Sequence, residues 1–273
     1  MNLLYCGNER VFDGILISLL SILKNTTSEV HVFLLTMDLQ KWDRAHRPLT
    51  EKQADFLRDV VKEKNANNTL LLCDATEEFC REMQESVNLQ NFYTPYCMLR
   101  LLADRIADIP DKVLYLDTDT VAFGDVQELF ETDISGYEFA GAIDYLGKIF
   151  KHPRYINSGV LLLNLPYIRE TGLFRRTLKC CRTKKMSFPD QDALNRMASK
   201  PLRIPSKYNA QRRKKDDTVI RHFCKSLRIF PYIHTVNVKP WETERLHSIL
   251  KITYMDEMTK IYEKYRTIWS RGA

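Results

Sequence analysis

The chain has 273 residues, 44% of them hydrophobic, enough to bury the core of one large α/β domain or two small ones. A formal net charge of +6 suits an anionic ligand or surface and does not demand nucleic acid. Seven cysteines form no C-x-x-C pair, and their odd number favours a reducing compartment. The start, MNLLYCGNERVF, lacks the basic residues and the long apolar run of a signal peptide. The longest apolar stretch, Gly14 to Leu23, is interrupted by serines and covers about half of a bilayer span. These features predict a cytoplasmic protein, and with no internal repeat or low-complexity linker nothing in composition forces a domain boundary.

Along the chain, NLLYC (2–6), VHVFLLT (30–36), TLLLCD (69–74) and KVLYLD (112–117) read as buried strands. Amphipathic stretches at 12–24, 50–64 and 95–107 read as the helices between them. That alternation predicts a parallel sheet with right-handed crossovers, in which ligands bind beyond the carboxyl ends of the strands. Polar residues gather there: Gly7, Asn8, Glu9 and Arg10 after the first strand, Asp117 and Asp119 after the fourth. Beyond residue 124 the pattern becomes mixed, with strands at 137–144 and 158–165 and helices at 166–182 and 189–198. A last helix from Tyr254 to Trp269 carries Tyr254, Met258, Ile261, Tyr262, Tyr265 and Trp269 on one stripe. Core packing is the ordinary use of such a stripe; with Lys251, Lys260, Lys264, Arg266 and Arg271 around it, peripheral contact with anionic lipid is the alternative.

The chemistry starts from Asp117 and Asp119. In an extended chain their side chains share a face, and two like charges so placed repel unless water, a cation or a donor sits between them. Asp117, Asp119 and Val121 after an apolar strand resemble the haloacid-dehalogenase nucleophile motif, but that motif usually opens its domain, and the downstream pair Asp216 and Asp217 lies in the hydrophilic run QRRKKDD. Neither GxxxxGK[ST] nor GxGxxG is present, so a diphosphate would rely on a metal and basic side chains. Among six histidines, His222 in TVIRHFCK is the best placed, following a short apolar strand and preceding Lys225 and Arg228. Two carboxylates and an imidazole suit Mn²⁺ and tolerate Mg²⁺. QRRKKDD alone would support a basic surface-binding protein, but no aromatic RNA-binding block accompanies it, so nucleic acid is not expected as a partner.

The blocks DKVLYLDTDTVAFGDVQELFETDISGYEFAGAID, YINSGVLLLNLPYIRE, FPDQDALN, VIRHFC and KPW, in this order and spacing, resemble glycosyltransferase family 8. That family includes the bacterial α-galactosyltransferases of lipooligosaccharide synthesis and glycogenin. The resemblance implies a GT-A fold: a single Rossmann-like nucleotide-binding domain with a mixed central sheet at residues 1–245, and a helical C-terminal extension at 246–273. It implies transfer of a hexose from a UDP-sugar to a glycan or lipid-linked saccharide, with Mn²⁺ and with retention of configuration. By resemblance Asp117, Asp119 and His222 hold the metal, Asp117 also nears the donor ribose, and Asn157 and Asp144 face the donor sugar. Asp190 and Gln191 match the pair beside the reactive carbon, where an amide cannot act as a general base. Arg100 matches the arginine near the nucleotide, and Asn8 stands where the family commonly has an acidic residue for the uracil. Lys225, Arg228 and Lys239 are the basic candidates at the donor, with Arg228 or Lys239 meeting the diphosphate. A nucleotide-sugar binding protein without catalysis would keep the aspartates and release no UDP.

Overall fold

The computed structural model describes residues 1–89, 94–228, 230 and 232–272. Its elements begin with β1 (Asn2–Cys6), α1 (Phe12–Asn25), β2 (His31–Thr36), α2 (Glu51–Lys64), β3 (Thr69–Asp74) and α3 (Thr76–Met83). Three-ten turns at Pro95–Arg105 lead into β4 (Lys112–Leu116), β5 (Thr120–Ala122) and α4 (Gln127–Glu131). Next come β6 (Phe139–Ile143), α5 (Gly147–Phe150), β7 (Ile156–Asn164), α6 (Leu165–Thr171), α7 (Leu173–Thr183) and α8 (Pro189–Met197). The C-terminal part holds β8 (Pro201–Arg203), β9 (Ile220–His222), β10 (Ser226–Arg228), β11 (His234–Val236), α9 (Thr243–Arg245) and α10 (Asp256–Gly272).

Seven strands form one mixed sheet in the order β3-β2-β1-β4-β7-β6-β8, and β7 alone runs against both its neighbours. The first four are parallel, as crossovers the length of α1 and α2 require. β1 and β4 read as unbroken apolar runs because both their faces are covered, whereas the edge strand β3 leaves Leu71 exposed. One face packs under α1, α2 and α10, with Ile15, Leu57 and Met258 in its core. The other packs under α3, α7, α8 and the three-ten segment, with Phe79, Leu178, Leu194 and Leu101.

Three departures from sequence expectation have local causes. The segment at 95–107, expected as an amphipathic helix, forms three-ten turns with Met98, Leu99, Arg100, Leu101 and Leu102 all buried, so it lacks a solvent face. The helix expected over 166–182 breaks at Gly172, whose φ of 65° lies in the left-handed region that glycine enters without penalty. The helix α3 was not expected; its signal was Phe79 and Met83, four apart behind the acidic first turn of Glu77 and Glu78.

The C-terminal stripe belongs to the core. Met258 and Tyr262 are buried, and Tyr254, Ile261, Tyr265 and Trp269 pack against the same cluster. The Trp269 ring lies 4.8 Å from that of Phe12 and 5.3 Å from that of Phe56. The apolar face that lipid contact would use is therefore turned inward. No helix among the described residues is long and apolar enough to cross a membrane.

Serines interrupt the apolar run of α1 for a structural reason. The Ser18 hydroxyl lies 3.0 Å from Tyr5 Oη and 3.1 Å from Thr120 Oγ1. Ser21 Oγ donates to the Ser18 carbonyl and accepts from Ala122 N at 2.8 Å. These buried hydroxyls tie α1 to β5, the strand that follows the acidic pair.

Candidate active site

The acidic pair is shaped by strand alternation and one tight turn. Tyr115 and Asp117 share a face at the end of β4, and Tyr115 Oη donates to Asp117 Oδ1 at 2.5 Å. The N–H and hydroxyl of Thr120 both reach the Asp117 carbonyl, at 3.1 and 2.8 Å, folding the chain back into β5. β5 then pairs antiparallel with β9, placing Thr120 opposite His222, while Phe223 N donates to the Asp119 carbonyl at 2.8 Å. This short ladder joins residues distant in sequence: His222 Nε2 lies 3.1 Å from Asp119 Oδ1 and 3.6 Å from Asp117 Oδ2. One ligand atom from each of the three residues falls within 4.8 Å of the others.

A chain of hydrogen bonds fixes the imidazole. Gly159 N donates to Asn157 Oδ1 at 3.0 Å, which identifies that atom as the oxygen, and Asn209 Nδ2 donates to the same oxygen at 2.9 Å. Asn209 therefore turns its own oxygen to His222 Nδ1, 3.1 Å away, so Nδ1 carries the proton. The other ring nitrogen, Nε2, then faces the two carboxylates. Two carboxylates this close repel unless a proton or a cation lies between them, and two carboxylate oxygens with one imidazole nitrogen form a donor set for a divalent metal. Gly159 provides the room, since a Cβ there would lie 2.2 Å from His222 Cε1 and 2.8 Å from Asp117 Oδ2.

Two side-chain cations flank the cluster. Lys239 Nζ sits 2.5 Å from Asp119 Oδ2. Burial pushes the Asp119 carboxyl up, but Lys239 and His222 outweigh it and hold the group well below the usual carboxylate range. Arg100, 5% exposed, reaches Asp117 Oδ1 at 3.1 Å and Asp190 Oδ2 at 3.4 Å, with its guanidinium 4.2 Å from the Tyr115 ring centroid. Gly14 on α1 leaves space for the Trp241 ring and the Thr118 carbonyl, which bracket this side of the site.

The cluster opens onto a cleft of about 410 Å³ lined by residues that include Asp144, Tyr145, Tyr155, Asn157, Gln191 and Lys225. Gln191 Oε1 accepts from the Ser158 N–H at 2.8 Å, which turns its NH₂ toward Asp144 Oδ2, 3.4 Å away. Asn157 Nδ2 donates to the same Asp144 oxygen at 2.8 Å, while Leu146 N and Gly147 N donate to the other at 2.9 and 2.6 Å. Asp144 is thus a saturated acceptor that orders the cleft wall.

Asp119, Asp144, Asn157, Gln191, His222 and Lys225 all come together around the cleft with Asp117, while Lys239 reaches Asp119 from the side. Four expected residues sit elsewhere, the first being Arg100, buried behind the cleft against Asp117 and Asp190. Asp190 lies beneath the wall, not in it, because the helical turn that aims Gln191 into the cleft points its neighbour inward to Arg100 and to the Ser158 hydroxyl at 3.2 Å. Burial pushes the Asp190 carboxyl upward, against the pull of Arg100. Arg228 is exposed, and its guanidinium donates to the Ile249 carbonyl at 2.8 Å, so of the two candidates for the diphosphate Lys239 is the one beside the acidic pair. Asn8 is 5% exposed; its oxygen accepts from Arg10 N at 3.2 Å and its side chain bonds to Tyr96. Sequence reasoning missed Tyr115, Ser158 and Asn209. Tyr115 was within reach, since the alternation that pairs Asp117 with Asp119 also includes it, whereas the other two carried no signal of their own.

A mostly parallel sheet with an acidic pair, an imidazole and a polar cleft at the carboxyl ends of its strands defines a GT-A glycosyltransferase architecture. Two crystal structures of the galactosyltransferase LgtC share it: an active-site mutant, with TM-score 0.68 and 15% identity, and a complex with donor and acceptor sugar analogs, with TM-score 0.66 and 17% identity. Each alignment covers 97% of this chain and 96% of LgtC. The chain belongs to glycosyltransferase family 8, matching the description "Glycosyl transferase family 8" over residues 2–245. It is 25% identical over 215 residues to a putative glycosyltransferase of Haemophilus influenzae, covering 71% of this chain and 58% of that one, less than two thirds of the relative's length. It is 27% identical over 257 residues to a lipopolysaccharide 1,2-glucosyltransferase of Escherichia coli, covering 86% of this chain and 71% of that one.

Proposed function

We propose that this glycosyltransferase moves a hexose, glucose or galactose, from a UDP-sugar onto a lipopolysaccharide-type saccharide, with retention of configuration and with Mn²⁺ at Asp117, Asp119 and His222. The observation that carries the proposal is the convergence of His222 Nε2 and two carboxylates at the mouth of the cleft. Mn²⁺ suits one nitrogen among oxygens, and Mg²⁺ would be tolerated. A cation bound there would offset the negative charge that gathers on the diphosphate as UDP departs. Lys239 adds a second positive charge beside Asp119, and Arg100 orients Asp117 toward the nucleotide side. Names of relatives support the substrates: a lipopolysaccharide glucosyltransferase by sequence, and by fold a galactosyltransferase crystallised with donor and acceptor sugar analogs.

Retention has support in the carboxylate census of the cleft. Its lining carboxylates are Asp117 and Asp119, assigned to the cation, and Asp144, whose oxygens already accept four hydrogen bonds. None is left as the general base that inversion needs, so the acceptor proton would pass to the leaving diphosphate on the same face. Gln191, with its oxygen anchored on Ser158, presents its amide to the sugar, and Asn157 and Asp144 order the groups that would hold the sugar hydroxyls. Asp190 acts on this account as a positioning residue for Arg100.

The transferase domain would span residues 1–245, with 246–273 as a helical extension braced against α1, in a cytoplasmic protein. Family membership displaces the dehalogenase-like alternative; Asp117 Oδ1, its would-be nucleophile, is already bonded by Tyr115 and Arg100. A panel of UDP-sugars assayed for metal-dependent UDP release, with and without lipopolysaccharide core oligosaccharide, tests the donor, the cation and the acceptor together. Proton NMR of the first product reads the anomeric outcome, and a β-linked product from an α-linked donor would refute retention. UDP binding with no release from any donor would leave a binding protein.

A further inference from the structure

Beside the cleft lies a second cavity of about 550 Å³, and Tyr145 is a wall of both. Its lining gathers Lys148 from α5 with Lys207, Arg212, Arg213 and Lys215 from the segment before β9, against one carboxylate, Asp217. Lys207 is paired with Glu128 at 3.2 Å. Among the described residues, no carboxylate is ion-paired with Lys148, Arg212, Arg213 or Lys215. Cations that converge on a concavity without partners repel one another, and the potential they focus there favours an anion.

The segment is held in place, unlike a loosely solvated charge run. Gln211, 5% exposed, accepts from Tyr145 N at 3.0 Å and donates to the Ile143 carbonyl at 3.1 Å. Arg221, 6% exposed and next to His222 on β9, donates to the carbonyls of Ala210 at 2.5 Å and Arg212 at 3.0 Å. The Arg212 guanidinium lies 5.8 Å from the Tyr145 ring centroid. The cationic cavity is therefore registered to the strand that supplies the imidazole, and its volume falls in the range of small-molecule sites.

We propose that this cavity binds a phosphate group carried by the acceptor saccharide. The inference rests on the donor-site proposal above, because the donor's own diphosphate is assigned to Asp117, Asp119 and His222 on the other side of Tyr145. Two guanidiniums and two ammoniums match a phosphate dianion, which accepts bidentate bonds from arginine and offsets more charge than a carboxylate. Tyr145 spans both spaces, so one molecule can seat a sugar ring in the cleft and its phosphate in the cavity. The concave, local placement of the cations favours a single phosphate over the extended backbone of a nucleic acid.

The test uses calorimetry on the full chain saturated with UDP and Mn²⁺, so that the donor site is filled, with glucose, glucuronate and glucose 6-phosphate at matched ionic strength. Glucose 6-phosphate should bind about tenfold or more tightly than glucose, with glucuronate between them. Arg213 and Lys215 are exposed, and among the described residues no side-chain partner holds them, so the double variant Arg213→Glu/Lys215→Glu should fold normally, bind UDP as before and lose the phosphate advantage. Equal affinities, glucuronate matching the phosphate, or an advantage that survives in the variant would each overturn the proposal. Failure of both proteins to bind UDP would instead overturn the donor-site proposal, and this one with it.

Discussion

Gly159 leaves almost no room beside His222 and Asp117, and Gly159→Ala tests that geometry directly. The added methyl would lie 2.2 Å from His222 Cε1, whereas ordinary contact begins at 3.4 Å. The imidazole would have to retreat by about 1 Å, and overpacking of this kind typically costs about 1–3 kcal/mol. It has nowhere to go without loss, being 3% exposed and held through Nδ1 by Asn209, on a strand pinned to β5. Metal ligation tolerates displacements of only about 0.2 Å, so the shift should weaken metal-dependent UDP binding by about tenfold to a hundredfold, or roughly 1.4–2.7 kcal/mol. Calorimetry with UDP and Mn²⁺ measures that loss, and circular dichroism checks the fold. His222→Ala removes the closest clashing atoms and leaves only Asp117 Oδ2 at 2.8 Å, so Gly159→Ala should cost less in the His222→Ala background than in the parent. Affinity within about twofold of the parent in Gly159→Ala, or additive losses in the double variant, would refute the reasoning.

Other changes probe the supports of the site. Ser21→Ala removes the acceptor of Ala122 N and should lower stability by about 1–3 kcal/mol in a denaturant titration; a change under about 0.5 kcal/mol would show that β5 does not depend on α1. Trp269→Ala should cost about 2 kcal/mol, less than a fully buried ring, and leave flotation with anionic vesicles unchanged; lost flotation at unchanged stability would make the stripe a lipid face. The depressed Asp119 carboxyl contributes stability above its ordinary pKa of 3.8, which is lost as pH falls toward the lower folded value. Lys239→Met removes the main cause of that depression, so acid unfolding followed by circular dichroism should begin at higher pH, and an unshifted midpoint would deny the Lys239 contribution. Gln191→Ala should slow turnover by about tenfold to a hundredfold with donor affinity intact; parallel losses in both would make it a binding residue.

How legible these features were depended on whether their cause is local. β1 to β4 were readable because each is a short run of apolar residues, even in β3 where Leu71 is exposed, and their bounds differ from expectation by a residue at most. The pairing of Asp117 with Asp119 follows from alternation, but nothing local brings His222 to them; the β5–β9 ladder does, and in the sequence only the family resemblance joins His222 to the pair. The choice between Arg228 and Lys239 was closed to the sequence because Gly14 and Trp241, far apart in the chain, help set where the KPW segment lies. Asn209 was invisible for a similar reason: its part is to pass a hydrogen-bond direction from Asn157 to His222, and such a role has no composition or period.

The β5–β9 ladder also orders the assembly of the protein during synthesis. Chains emerge N-terminus first, so β1 to β4 and the acidic pair are available well before His222, Lys239 and Trp241. A nascent domain at that stage carries Asp117 and Asp119 as neighbouring like charges, with neither the imidazole nor the ammonium that later faces them. Only when β9 docks on β5 does the acidic pair gain its facing imidazole, and the same docking seats Phe223 in the core. If the three groups hold a cation as proposed, cation binding and completion of the fold would thus arrive in one event, and a chain halted before β9 would have a sheet and an acidic pair without its imidazole.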